Sequence, residues 1–169
     1  SLDRDPQTGQ WTVTGDPTEG ALVVAAAKAG LDRQKLSLQF PEIREVPFSA
    51  QRAMMATIHR HPQGAITLVK GSLGSVMPIC DRAQDRSETV SMDDALRQRL
   101  EQAQDSMARD GLRVLALACK ITPEPGEPCE RLTFLALVGL HDPPRPEVAD
   151  AIRRFRQAHI RTVMITGDH

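Results

Sequence analysis

At 169 residues, with 40% hydrophobic and 25% charged side chains, the chain has apolar material for one core of ordinary size, or for one domain and a piece of another. Its 21 Lys and Arg against 22 Asp and Glu leave a net charge of -1, so no basic surface marks a nucleic-acid partner. One Trp, four Phe and no Tyr argue against a platform built on base stacking. Cys80, Cys119 and Cys129 stand far apart, without a C-x-x-C pair or a matching histidine spacing, and read as reduced thiols of a cytosolic setting. No run approaches the roughly 20 apolar residues of a membrane span. The polar start SLDRDPQTGQ is no signal peptide and lacks an initiator methionine, and the chain stops at Gly167-Asp168-His169 straight after an apolar run; both ends predict a piece of a longer protein.

Trp11 to Thr14 alternates as a half-buried strand does, and Gly15-Asp16-Pro17 breaks it. From Thr18 the pattern TEGALVVAAAKAG predicts a helix with a capping threonine, Glu19 in its first turn and Gly30 as its stop, and Leu31 to Leu38 predicts a further helical turn. The period then changes. Ile43 to Phe48, Met54 to Arg60 and Ala65 to Lys70 read as an antiparallel meander, with His61-Pro62-Gln63-Gly64 at one turn.

The run Ile66 to Ser72, ITLVKGS, is a strand that hands over to a helical pattern, GSLGSVMPICDRA, at Lys70-Gly71. A cation beside free backbone N–H groups suits an anion; a solvated lysine at a strand end fits the same letters. After a polar stretch, Ser91 opens a helix with Asp93 and Asp94 in its first turn, Leu96, Leu100, Ala103 and Met107 at helical spacing, and Gly111 at its end. Strands Leu112 to Lys120 and Leu132 to Leu140 flank the Pro-rich loop Thr122 to Glu130. At His141 the grammar shifts: Asp142-Pro143-Pro144-Arg145-Pro146 is a rigid link, Glu147 to Ala158 a helix, and Thr162 to Ile165 an apolar strand, half of a βαβ unit of a parallel sheet. The predicted fold class is α+β, an antiparallel β-sheet flanked by helices. The expected domain boundary lies at 140/141, with the beginning of an α/β domain at the C-terminus.

Six short motifs occur in order: Gly15-Asp16-Pro17-Thr18-Glu19-Gly20-Ala21; Pro47-Phe48-Ser49 with Met55 beyond it; Lys70-Gly71; Gly111-Leu112-Arg113-Val114-Leu115-Ala116; Asp142-Pro143-Pro144-Arg145; and Thr166-Gly167-Asp168. Each alone is weak, but the ordered set is specific. It resembles the cytoplasmic nucleotide-binding domain of the P-type cation-transporting ATPases, the group of the calcium, sodium/potassium and proton pumps, from about residue 11 to the end.

The resemblance implies a role for each matching residue. Phe48 would stack on adenine, since every purine offers a π-face; burial in the core is the commoner fate of phenylalanine. Lys70 would line the same pocket and Gly71 would let the nucleotide approach the backbone. Glu19 and Asp16 would meet the adenine amino edge or organise the pocket, although both also stand where helix caps stand. Arg113 would reach towards the phosphates, with a solvated strand-edge arginine as the alternative. Arg52 is the retained cation after the Phe-Ser pair, while Ala53 occupies a place where the family commonly carries Lys or Arg, and Ser72 replaces an alanine. Asp142 and Arg145 match the hinge into the phosphorylation domain, and Thr166 and Asp168 its phosphoryl-holding loop.

By resemblance the substrate is ATP with Mg2+. The partners are the phosphorylation, actuator and transmembrane domains of the same polypeptide, and the place is the cytoplasmic side of an integral membrane protein, with the fragment itself a monomer. The nucleophilic aspartate of an Asp-Lys-Thr-Gly-Thr segment is absent from these residues, so the fragment is expected to bind nucleotide without turnover. Two other readings compete. A phosphatase of the haloacid-dehalogenase type would need Asp3-Arg4-Asp5 as its nucleophile motif, and a regulatory or interaction domain would have a decayed pocket, for which Ala53 is the hint.

Overall fold

A computed structural model describes residues 2–4, 11–13, 16–141, 145 and 147–165. Its main body is a seven-stranded sheet in the order β3 (Glu42–Ser49), β4 (Met54–His61), β5 (Gly64–Gly71), β8 (Arg113–Thr122), β9 (Leu132–Leu140), β6 (Cys80–Asp85), β7 (Glu88–Ser91), with a separate two-stranded sheet near the N-terminus. The α+β expectation holds.

In the small sheet, β1 (Leu2–Arg4) pairs antiparallel with β2 (Trp11–Val13). Helix α1 (Pro17–Lys28) follows, and its cap is Asp16 rather than the expected Thr18. The Asp16 carboxylate accepts from the Thr18 and Glu19 amides, while Pro17 fills the first helical position, where no N–H is needed. Gly30, at φ 81, closes the helix end. The predicted extra turn is helix α2 (Arg33–Gln39), capped by Asp32.

The meander is β3 (Glu42–Ser49), β4 (Met54–His61) and β5 (Gly64–Gly71), in continuous antiparallel register from Met54↔Gly71 to His61↔Gly64. Gly64 turns at φ 121, and a side chain there would meet the Thr122 and Pro123 carbonyls at 2.3 and 2.2 Å. After Gly71 the expected helix is brief: α3 (Leu73–Val76) passes into a 3-10 turn at Met77–Ile79, where Pro78 removes a donor, and Cys80 already begins a strand.

The polar stretch beyond it is a hairpin, β6 (Cys80–Asp85) and β7 (Glu88–Ser91), turning at Arg86 with φ 55. Helix α4 (Asp94–Arg109) starts after Asp93, whose side chain accepts from the Leu96 amide, and not at Ser91, which ends β7. Strands β8 (Arg113–Thr122) and β9 (Leu132–Leu140) complete the sheet, and β6 joins β9 in parallel. Lys120 ties down the loop between β8 and β9 by donating to the Glu127 and Glu130 carbonyls.

Alternation along β4, β5 and β8 sends Ala56, Val69, Ala116 and Ala118 to one face, where they join Leu73, Val76, Cys80, Leu132 and Phe134 in the core. Leu96 and Leu100 of α4 pack on this cluster. Small residues in the central strands let α3 and α4 lie close to the sheet. Helix α5 (Val148–Gln157) carries no buried residue. The expected strand Thr162 to Ile165 is not formed: Val163, Met164 and Ile165 are exposed, and an apolar run without neighbours to pair with has no ladder to join.

Leu132 is fully buried at the β6–β9 junction, so Leu132→Ala should cost about 2–5 kcal/mol of stability, read from the midpoint shift in urea denaturation. Burial pushes the Cys80 thiol up to about 12, and its Sγ–H donates to the Val76 carbonyl at 3.2 Å. A thiol-specific reagent at pH 8 should therefore label Cys80 only as fast as the core opens. Labelling at the rate of a free cysteine would show that the core is not sealed there.

Candidate functional site

The register sets the site. Lys70 on β5 is the Cα partner of Met55 on β4 and of Leu117 on β8. On the far side of Met55 the β3–β4 pairing jumps from Val46↔Ala56 to Ser49↔Met54, so Pro47 and Phe48 together oppose the single residue Met55. This is a β-bulge on the edge strand. Phe48 and Lys70 thus flank Met55 on one rung of the sheet, two strand spacings or about 10 Å apart along the hydrogen-bonding direction.

Phe48 is 63% exposed. A phenylalanine left in solvent on the edge of a sheet that has a well-formed core is not serving that core. The alternative of a core phenylalanine is thereby removed.

Lys70 is neither solvated nor free. Its Nζ donates to Oε1 of Glu19, one turn into α1, and the two side chains are 22% and 50% exposed. Such a half-solvated pair contributes at most about 1 kcal/mol, so its effect is to hold the first turn of α1 against this face of the sheet and to orient both polar groups. Asp16, three residues before Glu19, uses Oδ1 on the Thr18 and Glu19 amides at 2.7 and 3.3 Å. Those bonds hold its carboxyl below the ordinary value, and the Arg113 charge adds to the lowering. Asp16 therefore caps the helix, and it stands within electrostatic reach of Arg113.

Arg113 opens β8 four residues before Leu117, hence on the same face as Lys70 and about 13 Å further along the strand. It is exposed. Glu19, Lys70, Asp16 and Arg113 are accordingly gathered on one face of the sheet, with Phe48 on the Lys70 rung.

Gly71 serves the chain's own packing. A Cβ there would lie 2.5 Å from Met54 Cβ and 2.6 Å from the Ala53 carbonyl oxygen, which accepts from the Ser72 amide at 3.0 Å. Arg52 is likewise engaged: its Nη2 donates to the Pro47 carbonyl at 2.9 Å. Arg145 is exposed, and its carbonyl accepts from the Val148 amide at the start of α5. Asp142, Thr166 and Asp168 lie outside the described residues. Met55, noted in the sequence only as part of a motif, is the residue that sets the spacing of the site. Among the described residues no three His, Cys, Asp or Glu side chains are grouped so as to hold a metal ion.

The arrangement can do one kind of chemistry. An exposed aromatic face, a carboxylate acceptor next to an ammonium donor, and a guanidinium further along match an uncharged aromatic ring with polar edges followed by an anionic tail.

The family model described as P-type ATPase, cytoplasmic domain N, matches residues 1–147. The chain belongs to the P-type ATPases, as their cytoplasmic domain N. Among similar proteins, the cation-transporting ATPase pma1 of Synechocystis sp. is 42% identical over 167 residues, covering 94% of this chain and 18% of that protein. The calcium-transporting ATPase 1 of Bacillus cereus is 37% identical, covering 92% of this chain and 18% of that protein. The human calcium-transporting ATPase type 2C member 1 is 40% identical, covering 93% and 17%. This domain N thus spans under a fifth of the length of these relatives. The match runs through Asp3, Arg4 and Asp5, the residues on which a phosphatase reading depended.

The lowering of the Asp16 pKa sets the sign of its effect on stability. A carboxyl more acidic folded than unfolded contributes stability above its unfolded value of about 3.9, and that contribution disappears as pH falls through the folded value. Asp16→Ala should lower the melting temperature at pH 7, and the gap to the parent chain should narrow below about pH 4. A gap constant from neutral to strongly acid pH would show that the Asp16 charge does not hold the helix start.

Proposed function

We propose that this domain N binds ATP, with adenine against Phe48, its amino edge at Glu19, Lys70 along the pocket wall and the phosphates running towards Arg113. The observation that carries the reading is the bulge that puts an exposed phenylalanine on the rung of an ion-paired lysine. A buried phenylalanine or an unengaged lysine would have left only a sheet. Mg2+ would arrive bound to the triphosphate, since charge neutralisation of that tail is what a divalent ion supplies.

In the whole protein, ATP bound here would pass its γ-phosphoryl group to an aspartate of the adjoining phosphorylation domain, and the resulting aspartyl phosphate would drive cation movement through transmembrane helices. Asp142 and Arg145 would lie at the hinge, and Thr166 and Asp168 in the loop that holds the phosphoryl group. The domain boundary follows at 140/141, and the domain would face the cytoplasm. No Asp-Lys-Thr-Gly-Thr segment occurs among the 169 residues, so the chain alone would bind ATP without hydrolysing it by this route.

Titration of the chain with Mg-ATP, followed by amide resonances, should move Phe48 and Gly71 at concentrations up to the order of millimolar. Phe48→Ala should weaken binding by about five- to 150-fold, from loss of about 1–3 kcal/mol of base stacking, with the spectrum otherwise retained. Unmoved resonances at these positions would refute the pocket and leave an interaction domain as the better reading.

A further inference from the structure

The loop between β3 and β4 is held by hydrogen bonds of its own and by one close approach to the end of β5. The Ser49 carbonyl accepts from the Arg52 amide at 3.1 Å and from the Ala53 amide at 2.7 Å, closing a tight loop between β3 and β4. Ala53 completes that loop at φ 47, a left-handed conformation that costs energy for a residue with a Cβ. Its carbonyl then accepts from Ser72, and Gly71 packs against it and Met54. Arg52 supplies the remaining bond, reaching back over five residues to the Pro47 carbonyl at 2.9 Å.

The acceptor's position is the informative part. The Pro47 carbonyl belongs to the peptide group that joins Pro47 to Phe48, inside the bulge where β3 departs from its register with β4. A bulged peptide lacks its ladder partner and is free to reorient unless something else bonds to it. The Arg52 guanidinium does bond to it, with a charge-assisted hydrogen bond to the carbonyl at the break in the ladder register.

We propose that Arg52 is a positioning residue that acts through Phe48, fixing the Pro47–Phe48 peptide so that the ring stands ready for the base, and that it is not a cation for the phosphates. The proposal rests on the ATP-binding reading above and adds to it a division of labour. Arg113 faces the anionic tail, whereas Arg52 governs how well the aromatic end is presented. Ala53 fits this division, because the loop is held by backbone bonds and by Arg52, and no second cation is required at that place.

Adenosine and ATP separate the two roles, since only ATP has phosphates. Binding of each to the parent chain, Arg52→Met, Phe48→Ala and the double variant should be measured by resonance titration, with shift dispersion confirming the fold. Arg52→Met should weaken adenosine and ATP by the same factor, about fivefold, the scale of one exposed charge-assisted hydrogen bond. In the ligand-free state its Pro47-to-Ser49 neighbourhood should show shifted or broadened resonances while the core remains unmoved. In the Phe48→Ala background the same substitution should have no further effect on either ligand, because the two residues form one unit.

Weakened ATP with unchanged adenosine would make Arg52 a phosphate cation and overturn the proposal. So would an undiminished Arg52→Met effect on adenosine in the absence of Phe48. If Phe48→Ala binds ATP as tightly as the parent chain, the pocket reading itself fails and the role of Arg52 falls with it.

Discussion

The close approach of the end of β5 to the start of β4 is the constraint on which the site depends. Gly71 brings its backbone against Met54 and the Ala53 carbonyl at distances that no Cβ could share. That contact fixes the Met54↔Gly71 pair as the first rung of the ladder, and Met55↔Lys70 as the second. The register shift in β3 between Val46 and Ser49 then places Pro47 and Phe48 opposite the same methionine. The positions of the aromatic and of the ammonium are therefore not independent. Slipping either strand by one residue would send Lys70 to the core face and Val69 to solvent.

Electrostatics refines this backbone geometry without creating it. Asp16 and Glu19 lie in the first turn of α1, but they divide the work: one carboxylate is consumed by the helix amides and the other by Lys70. Had both been spent on capping, Lys70 would have no partner from α1. Had neither capped, the helix start that carries Glu19 would not be fixed. Lys70 and Glu19 neutralise one another at one end of the site, and at the other the Arg113 guanidinium stands within electrostatic reach of the Asp16 carboxylate.

Much of this was legible in the sequence, and for identifiable reasons. The meander could be read because its strands alternate and its turn carries Pro62 and Gly64; α4 could be read because Leu96, Leu100, Ala103 and Met107 recur with helical spacing. The hairpin β6–β7 could not be read, because DRAQD and ETVS are polar runs on the last two strands of the sheet, where one face and one edge meet water and no apolar alternation is needed. Helix α3 is shorter than its letters suggest, because the apolar residues around Pro78 suit a helix until the missing donor is counted. Thr18 reads as a capping residue in the letters, whereas Asp16, two residues earlier and followed by Pro17, has both the carboxylate and the correct offset. At the site, residue types were visible but their use was not: nothing in the letters tells that Arg52 spends its guanidinium on a carbonyl, or that Gly71 is bare for the sake of Met54.

The bulge in β3 has a second consequence, for association between chains. As the first strand of a seven-stranded sheet, β3 offers an unsatisfied row of backbone groups to any extended segment that comes near. Pro47 removes one donor from that row, the extra residue shifts the phase of the rest, and Glu42, Arg44 and Glu45 place charges along it. An incoming strand would lose its ladder halfway along. The irregularity that turns Phe48 outward thus also blunts the edge against templated aggregation, so that a sheet can keep a large aromatic ring in water without inviting a neighbour to cover it.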